Sequence, residues 1–277
     1  MSVPIASVAP FPHGARAALS ISFDDGWPSQ LDLAVPILDR NGVRATFYVL
    51  PTKVRERADE WRQVASRHEI GGHSAVHPVP AGRRGPGDAT LEMYTTARMK
   101  AELAWADDDI DALLGVRPQT FAYPGGFTHV GEGARAVSYV PVVARRYVAG
   151  RGYRTEFANL PDWCDLAQLQ AAHVDGFDGD ALVALVDAAV EDGRWLVIVA
   201  HEIDGDGPWS LSSRALDQLC CSVTKRPELW VAPVVDVARH LQARRPRRTS
   251  AMLRRHYLSG RARLAPLRRR LARTANP

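Results

Sequence analysis

Two adjacent carboxylates, Asp24 and Asp25, close the apolar run Ser20-Ile21-Ser22-Phe23 and are followed at once by Gly26. Side-by-side carboxylates repel, so a fold that fixes both at one strand end needs a cation or a proton between them. About 50 residues on stands Gly71-Gly72-His73-Ser74-Ala75-Val76-His77-Pro78, with two imidazoles four positions apart. One carboxylate and two imidazoles make a three-ligand metal site with open positions, and the second carboxylate is then free to act as a base. That chemistry is metal-dependent hydrolysis. Taken singly, each piece has a plainer reading: Asp-Gly is a common turn dipeptide, and paired histidines are often solvated. The glutamate of a His-Glu-x-x-His metalloprotease is absent.

The elements that must position these groups read as an alternation of short apolar runs and longer amphipathic stretches, the pattern of a parallel α/β sheet. Strands are expected at 17–23, 45–49, 120–122, 195–200 and 229–232, and helices at 31–40, 91–114, 179–191, 214–222 and 234–243. The Pro-, Gly- and Arg-rich stretch 79–88 reads as a loop. Polar groups fall just beyond the strands: Asp24-Asp25 after the first, Tyr123-Pro124-Gly125-Gly126 after 120–122, and His201 after 195–200. In parallel α/β folds the C-terminal strand ends share one face, so groups far apart in sequence can meet there.

Read in order, Ser-Phe-Asp-Asp-Gly, His-Ser-x-x-His, Phe-Ala-Tyr-Pro-Gly-Gly and Ile198-Val199-Ala200-His201 resemble the motifs of the polysaccharide deacetylases, carbohydrate esterase family 4 or the NodB-homology family. The resemblance covers roughly residues 15–240, including His68-Glu69-Ile70-Gly71 and Trp230-Val231-Ala232-Pro233. It implies a distorted (β/α) barrel carrying one divalent metal, zinc foremost, with Co2+, Mn2+ or Ni2+ as alternatives. It further implies that Asp25, His73 and His77 are the ligands, Asp24 the base and His201 the acid, and that Ser74 steadies the histidine segment. Tyr123, Gly125 and Trp27 would meet the substrate, with the Gly125 N–H as an oxyanion donor. Trp163 and Trp209 could also stack on a sugar ring. The sequence departs from the family at Ala122, where many members carry an arginine that pairs with the catalytic aspartate; Arg145, Arg146 and Arg151 are the substitutes on offer. Asp162-Trp163-Cys164-Asp165 resembles a segment that orients the acid histidine, although a solvated helix start fits as well.

The chain has 277 residues, with 35 Lys and Arg against 31 Asp and Glu. Twelve of the arginines, and no acid, lie between Leu241 and Pro277, so residues 1–240 carry about −8 and the tail +12. The expected organisation is an N-terminal extension (1–14), one deacetylase domain (15–243) and an arginine-rich tail (244–277). A solvated tail, an arm for an anionic membrane surface and a nucleic-acid contact remain open for that tail; the last lacks any recognition motif. Three cysteines with two of them vicinal form no disulfide framework. Residues 1–19 lack a signal-peptide pattern and no run is long enough to span a bilayer, so a cytoplasmic enzyme, peripheral to the membrane if the tail binds lipid, is expected. The activity expected is N-deacetylation of an amino sugar or glycan-containing metabolite. A small-molecule amidase on the same scaffold and a catalytically inactive glycan-binding module are the alternatives.

Overall fold

The computed structural model describes residues 9–83, 89–153 and 158–245. Its strands are β1 (Ala17–Asp25), β2 (Thr46–Val49), β3 (Glu69–Gly72), β4 (Thr120–Ala122), β5 (His129–Val130), β6 (Val137–Ser138), β7 (Ala149–Arg151), β8 (Ala172–His173), β9 (Trp195–Ala200), β10 (Glu202–Ile203), β11 (Ser210–Leu211) and β12 (Leu229–Val231). The helices are α1 (Val35–Arg40), α2 (Pro51–Glu56), α3 (Ala58–Ala65), α4 (Thr96–Leu114), α5 (Val140–Arg146), α6 (Gly179–Glu191), α7 (Ser213–Val223) and α8 (Val234–Arg244). None of them is long and apolar enough to cross a membrane.

The main sheet is all parallel, in the order β7-β4-β3-β2-β1-β9-β8, with β12 also paired to β1. It curls into a distorted half-barrel with helices outside. Strand β1 is its axis: β9 runs along one side, while β12 and β2 share the other, beside Ala17–Leu19 and Ser22–Asp25 respectively.

Alternation along β1 explains the layering. Leu19, Ile21 and Phe23 face outward into the large core under α1, α6 and α7. The opposite face reads Ala18, Ser20, Ser22 and Asp24, small or polar side chains suited to a narrow interior. Those polar groups are satisfied: Ser20 Oγ donates to Ala232 O at 2.8 Å, Ser22 Oγ donates to Ile198 O at 2.6 Å, and Trp195 Nε1 donates to Ser20 Oγ at 3.0 Å. One layer up, β2 and β3 contribute Tyr48 and Gly71 in register. A Cβ on Gly71 would come within 2.5 Å of the Tyr48 ring, so the ring needs glycine there.

The helices end where local chemistry says they should. Thr95, Asp178 and Ser212 accept hydrogen bonds from the first turns of α4, α6 and α7, and Gly115 closes α4 in the left-handed conformation. Two expected helices differ in detail. The first begins with a π-turn over Gln30–Ala34 before α1, and the 91–114 helix is broken into a 3-10 turn at Leu91–Met93 and α4. Part of the loop expected at 79–88 is itself a 3-10 turn, Ala81–Arg83, and its last five residues lie outside the described ones. The arginine-rich tail beyond residue 245 also lies outside them.

Candidate active site

The C-terminal ends of β1, β3, β4, β7 and β9 surround a cavity of about 490 Å³ lined by Asp24, Asp25, Trp27, His77, Gly125, Tyr153 and His201, among others. If β1 simply continued, Asp24 and Asp25 would point to opposite faces. Asp25 instead adopts a left-handed backbone with φ 73°, and both carboxylates reach the cavity. Ser74 and His77 are left-handed as well, at φ 65° and 52°. Such conformations cost a non-glycine residue about 1–3 kcal/mol each and gather where geometry serves function.

The donor atoms of Asp25, His73 and His77 lie within 4.8 Å of one another. Nε2 of His73 is 3.5 Å and Nε2 of His77 3.7 Å from Asp25 Oδ1. A tetrahedral ion with bonds of 2.0–2.1 Å would need such atoms about 3.3 Å apart, so the set fits a zinc-like divalent cation. His73 Nδ1 donates to Ala122 O at 2.8 Å, which turns its other nitrogen toward Asp25. The hydroxyl of Ser74 accepts the His77 N–H at 2.9 Å, and Glu102 of α4 accepts the Ala75 N–H at 3.2 Å, so the histidine loop is held from both sides.

Asp24 is buried and sits 3.8 Å from His73 Nε2. Its other oxygen takes a hydrogen bond from Nη2 of Arg151, whose side chain is wholly buried. Burial alone would push the Asp24 carboxyl up; the Arg151 guanidinium, His73 and His201 together outweigh it and hold the carboxyl below its ordinary range. Arg151 also donates to Gly152 O at 2.7 Å and lies 4.9 Å over the Tyr48 ring. Of the three arginines that could replace the missing one at 122, this is the one that reaches the site. Arg145 is exposed, and Arg146 is paired with Asp107 at 2.5 Å. The reason is register: Ala122 on β4 pairs with Arg151 on β7. Arg151 thus stands one strand outward from Ala122 at the same level of the sheet.

His201 follows β9, and its Nδ1 lies 2.6 Å from Asp175 Oδ2, while its backbone N–H donates to Asp175 Oδ1 at 3.1 Å. Burial would lower the His201 imidazole, but the Asp175 hydrogen bond and the charges of Asp24, Asp175 and Asp25 raise it above its ordinary value. Burial likewise opposes ionisation of Asp175, and hydrogen bonds from His173 and His201 overcome it. Gln30 ties the two strand ends together, donating to Asp24 O at 2.6 Å and to His201 O at 2.8 Å.

Several expected contacts are placed elsewhere. Tyr123 is buried, its hydroxyl donates to Ala167 O at 2.7 Å and its N–H to Arg151 O at 3.0 Å; with both groups committed it does not line the cavity. Gly125 and Trp27 do, Gly125 with φ 57°, and Trp27 Nε1 donates to Asp25 Oδ2 at 3.3 Å. Trp209 is in the wall, whereas Trp163 is 86 % exposed and lies outside it. The segment 162–165 does not orient His201; Asp165 accepts the Ala167 N–H of its own turn. Asp175 has that place, and the sequence reading missed it, together with its neighbour His173. The pairing that brings them together is non-local: Asp175 lies two residues past His173 and His201 two past Val199, and His173 pairs with Val199.

Residues 13–137 match the family model described as polysaccharide deacetylase. The matched segment carries Asp24, Asp25, His73 and His77, and over that segment the chain is similar to the family. Chitin deacetylase 1 of Cryptococcus neoformans var. grubii is 28 % identical over 135 residues, covering 47 % of this chain and 26 % of that protein. The chain spans between 10 % and 27 % of the length of the curated relatives it matches. Among solved structures, peptidoglycan deacetylase PdaC of Bacillus subtilis superposes with a TM-score of 0.51 at 18 % identity, over 82 % of this chain and 92 % of the other. The allantoinase Puue reaches 0.61 at 15 % identity, over 89 % and 99 %. At such identities these structures share the fold, a distorted (β/α) barrel.

Proposed function

We propose that the chain is a metal-dependent N-deacetylase that hydrolyses an N-acetyl amide on an amino sugar or a glycan-containing metabolite. One observation carries this reading. The Asp25–His73–His77 cluster is flanked in a single cavity by a buried carboxylate held ionised and by an imidazole held ready to be protonated. Amide hydrolysis needs both, because water is a weak nucleophile and an amine leaves only when protonated.

A divalent ion held by Asp25, His73 and His77 would make water nucleophilic near neutral pH and polarise the amide carbonyl. Asp24, kept charged by Arg151, accepts the proton of the attacking water. His201, with Nδ1 fixed on Asp175, offers a proton from Nε2 to the departing nitrogen. The Gly125 N–H is the backbone donor for the developing oxyanion, in a turn whose positive φ suits glycine. Trp27 and Trp209 offer aromatic faces to the apolar side of a pyranose.

The shared fold of an allantoinase leaves a small-molecule amidase as the second reading, since the scaffold itself does not select a sugar. Acetate release from a panel of N-acetylated sugars and N-acyl metabolites, before and after chelation, tests both. Chelator-sensitive acetate from a sugar supports the deacetylase. Turnover confined to non-sugar amides would shift the reading to the amidase, and no turnover with metal bound would leave a binding module.

A further inference from the structure

Beside the first cluster, the structure holds a second group of metal-type donors. His173 Nε2 lies 2.7 Å and His201 Nδ1 2.6 Å from the same oxygen of Asp175, Oδ2, and the three donor atoms fall within 4.8 Å of one another. The scaffold is stiff. Strands β8 and β9 are paired, Asp175 and His201 leave them at equal offsets, and Asp175 is fixed by the His201 N–H on its other oxygen. Tyr153 and Trp209 wall the pair, with ring centroids 5.2 and 5.4 Å from His173 and 5.6 and 5.7 Å from His201. Asp175 is sealed, while the His173 side chain is 23 % exposed and offers a way in.

We propose that His173, Asp175 and His201 form a second, inhibitory metal site that takes an imidazole-preferring divalent ion such as zinc when metal is in excess. Two nitrogens and one carboxylate oxygen favour zinc, copper or nickel over magnesium and calcium. The present contacts are hydrogen bonds, so each nitrogen must give up the hydrogen it shares with Asp175, to water or to the other nitrogen of its ring. The ligand atoms must also separate to about 3.3 Å, the spacing that bonds of 2.0–2.1 Å demand. Rotation of the partly exposed His173 ring would open its contact, and a small turn of the His201 ring would open the other.

The inhibitory consequence rests on the role proposed for His201; the site itself does not. To protonate the leaving nitrogen from Nε2, the His201 ring must be an imidazolium with hydrogens on both nitrogens. A metal on Nδ1 leaves one hydrogen, and losing it would produce an imidazolate. Proton donation therefore stops when the second ion binds. One ion per chain is the active state and two the silent one.

Equilibrium dialysis of the full-length protein against rising zinc, with metal counted by atomic emission, tests the site. Wild type should pass from one zinc per chain to two. His173→Gln should keep the first, which also reports its folding, and bind the second at least tenfold more weakly. His77→Ala should lose the first and retain the second. A wild type that stops at one ion, or His173→Gln that binds two as tightly as wild type, overturns the proposal. With turnover followed in parallel, each protein's rate at one equivalent is its own reference. A fall in wild type alone at the second equivalent supports the inhibition. Two ions with no fall in rate refute the inhibition and leave the deacetylase reading intact, whereas no acetate at any zinc level refutes that reading while the stoichiometry still decides the site.

Discussion

Replacing Arg151 by methionine should reveal how Asp24 is kept ionised. Both partners of the Asp24–Arg151 pair are withdrawn from water, with side chains 4 % and 0 % exposed. Removing one partner of a buried pair costs about 3–5 kcal/mol, because the other charge is left without compensation. Asp24 has one escape, which is to take up a proton. From an ordinary carboxyl value near 3.9, that costs about three units at pH 7, or about 4 kcal/mol at about 1.4 kcal/mol per unit. The two routes agree, so a penalty of about 4 kcal/mol is expected at pH 7. In wild type the depressed Asp24 value contributes stability above the unfolded value near 3.9, lost only as pH falls through the folded value, so it is flat between pH 5 and 7. In Arg151→Met the folded value lies above the unfolded one, and the penalty grows with pH. It should therefore shrink by up to about 2.7 kcal/mol on going from pH 7 to pH 5. Urea unfolding of wild type, Arg151→Met, Asp24→Asn and the double variant, all in chelator so that no cation replaces the guanidinium, measures this. A coupling of about 3 kcal/mol is expected at pH 7. Additive losses within about 0.5 kcal/mol, or a pH-independent Arg151→Met penalty, would refute the reasoning.

Three further outcomes follow from the same geometry. Because Ala122 and Arg151 are paired in register, Ala122→Arg combined with Arg151→Ala should recover most of the turnover that Arg151→Ala loses; no recovery would show that the level in the barrel does not decide the pairing. Asp175→Asn removes the largest support for the raised His201 value, so the alkaline limb of kcat, where His201 loses its proton, should move to lower pH. An unmoved limb would take Asp175 out of the acid's control. Gly71→Ala drives a methyl into the Tyr48 ring under Arg151 and should cost about 1–3 kcal/mol in urea unfolding; an unchanged midpoint would mean that the ring is free to yield.

The long buried strands β1 and β9 and the helix α6 were legible because their apolar runs and caps are local signals. Strands β3, β7 and β8 were not, being two to four residues long and, in β3 and β7, glycine-bearing. The site followed the same division. Asp24, Asp25, His73, His77 and His201 stand in contiguous motifs and could be read directly. Arg151 was one of three arginines until the pairing of β7 with β4 distinguished it, since strand register is a non-local property. Asp175 sits in a short turn beyond a two-residue strand, where nothing in the local sequence separates a buried carboxylate from a solvated one. The expected role of Tyr123 failed for a similar reason: which face a residue takes after a three-residue strand depends on what packs around it, here Phe121 and Tyr139.

The neighbouring aspartates give the most direct test of the catalytic assignment, because the same chemical change at adjacent positions should have opposite consequences. Metal content and acetate release should be measured together for Asp24→Asn and Asp25→Asn. Asp24→Asn should hold about one metal per chain and lose turnover, whereas Asp25→Asn should lose the metal itself. Loss of metal in Asp24→Asn with metal retained in Asp25→Asn would exchange the two roles, and full turnover in Asp24→Asn would contradict the mechanism.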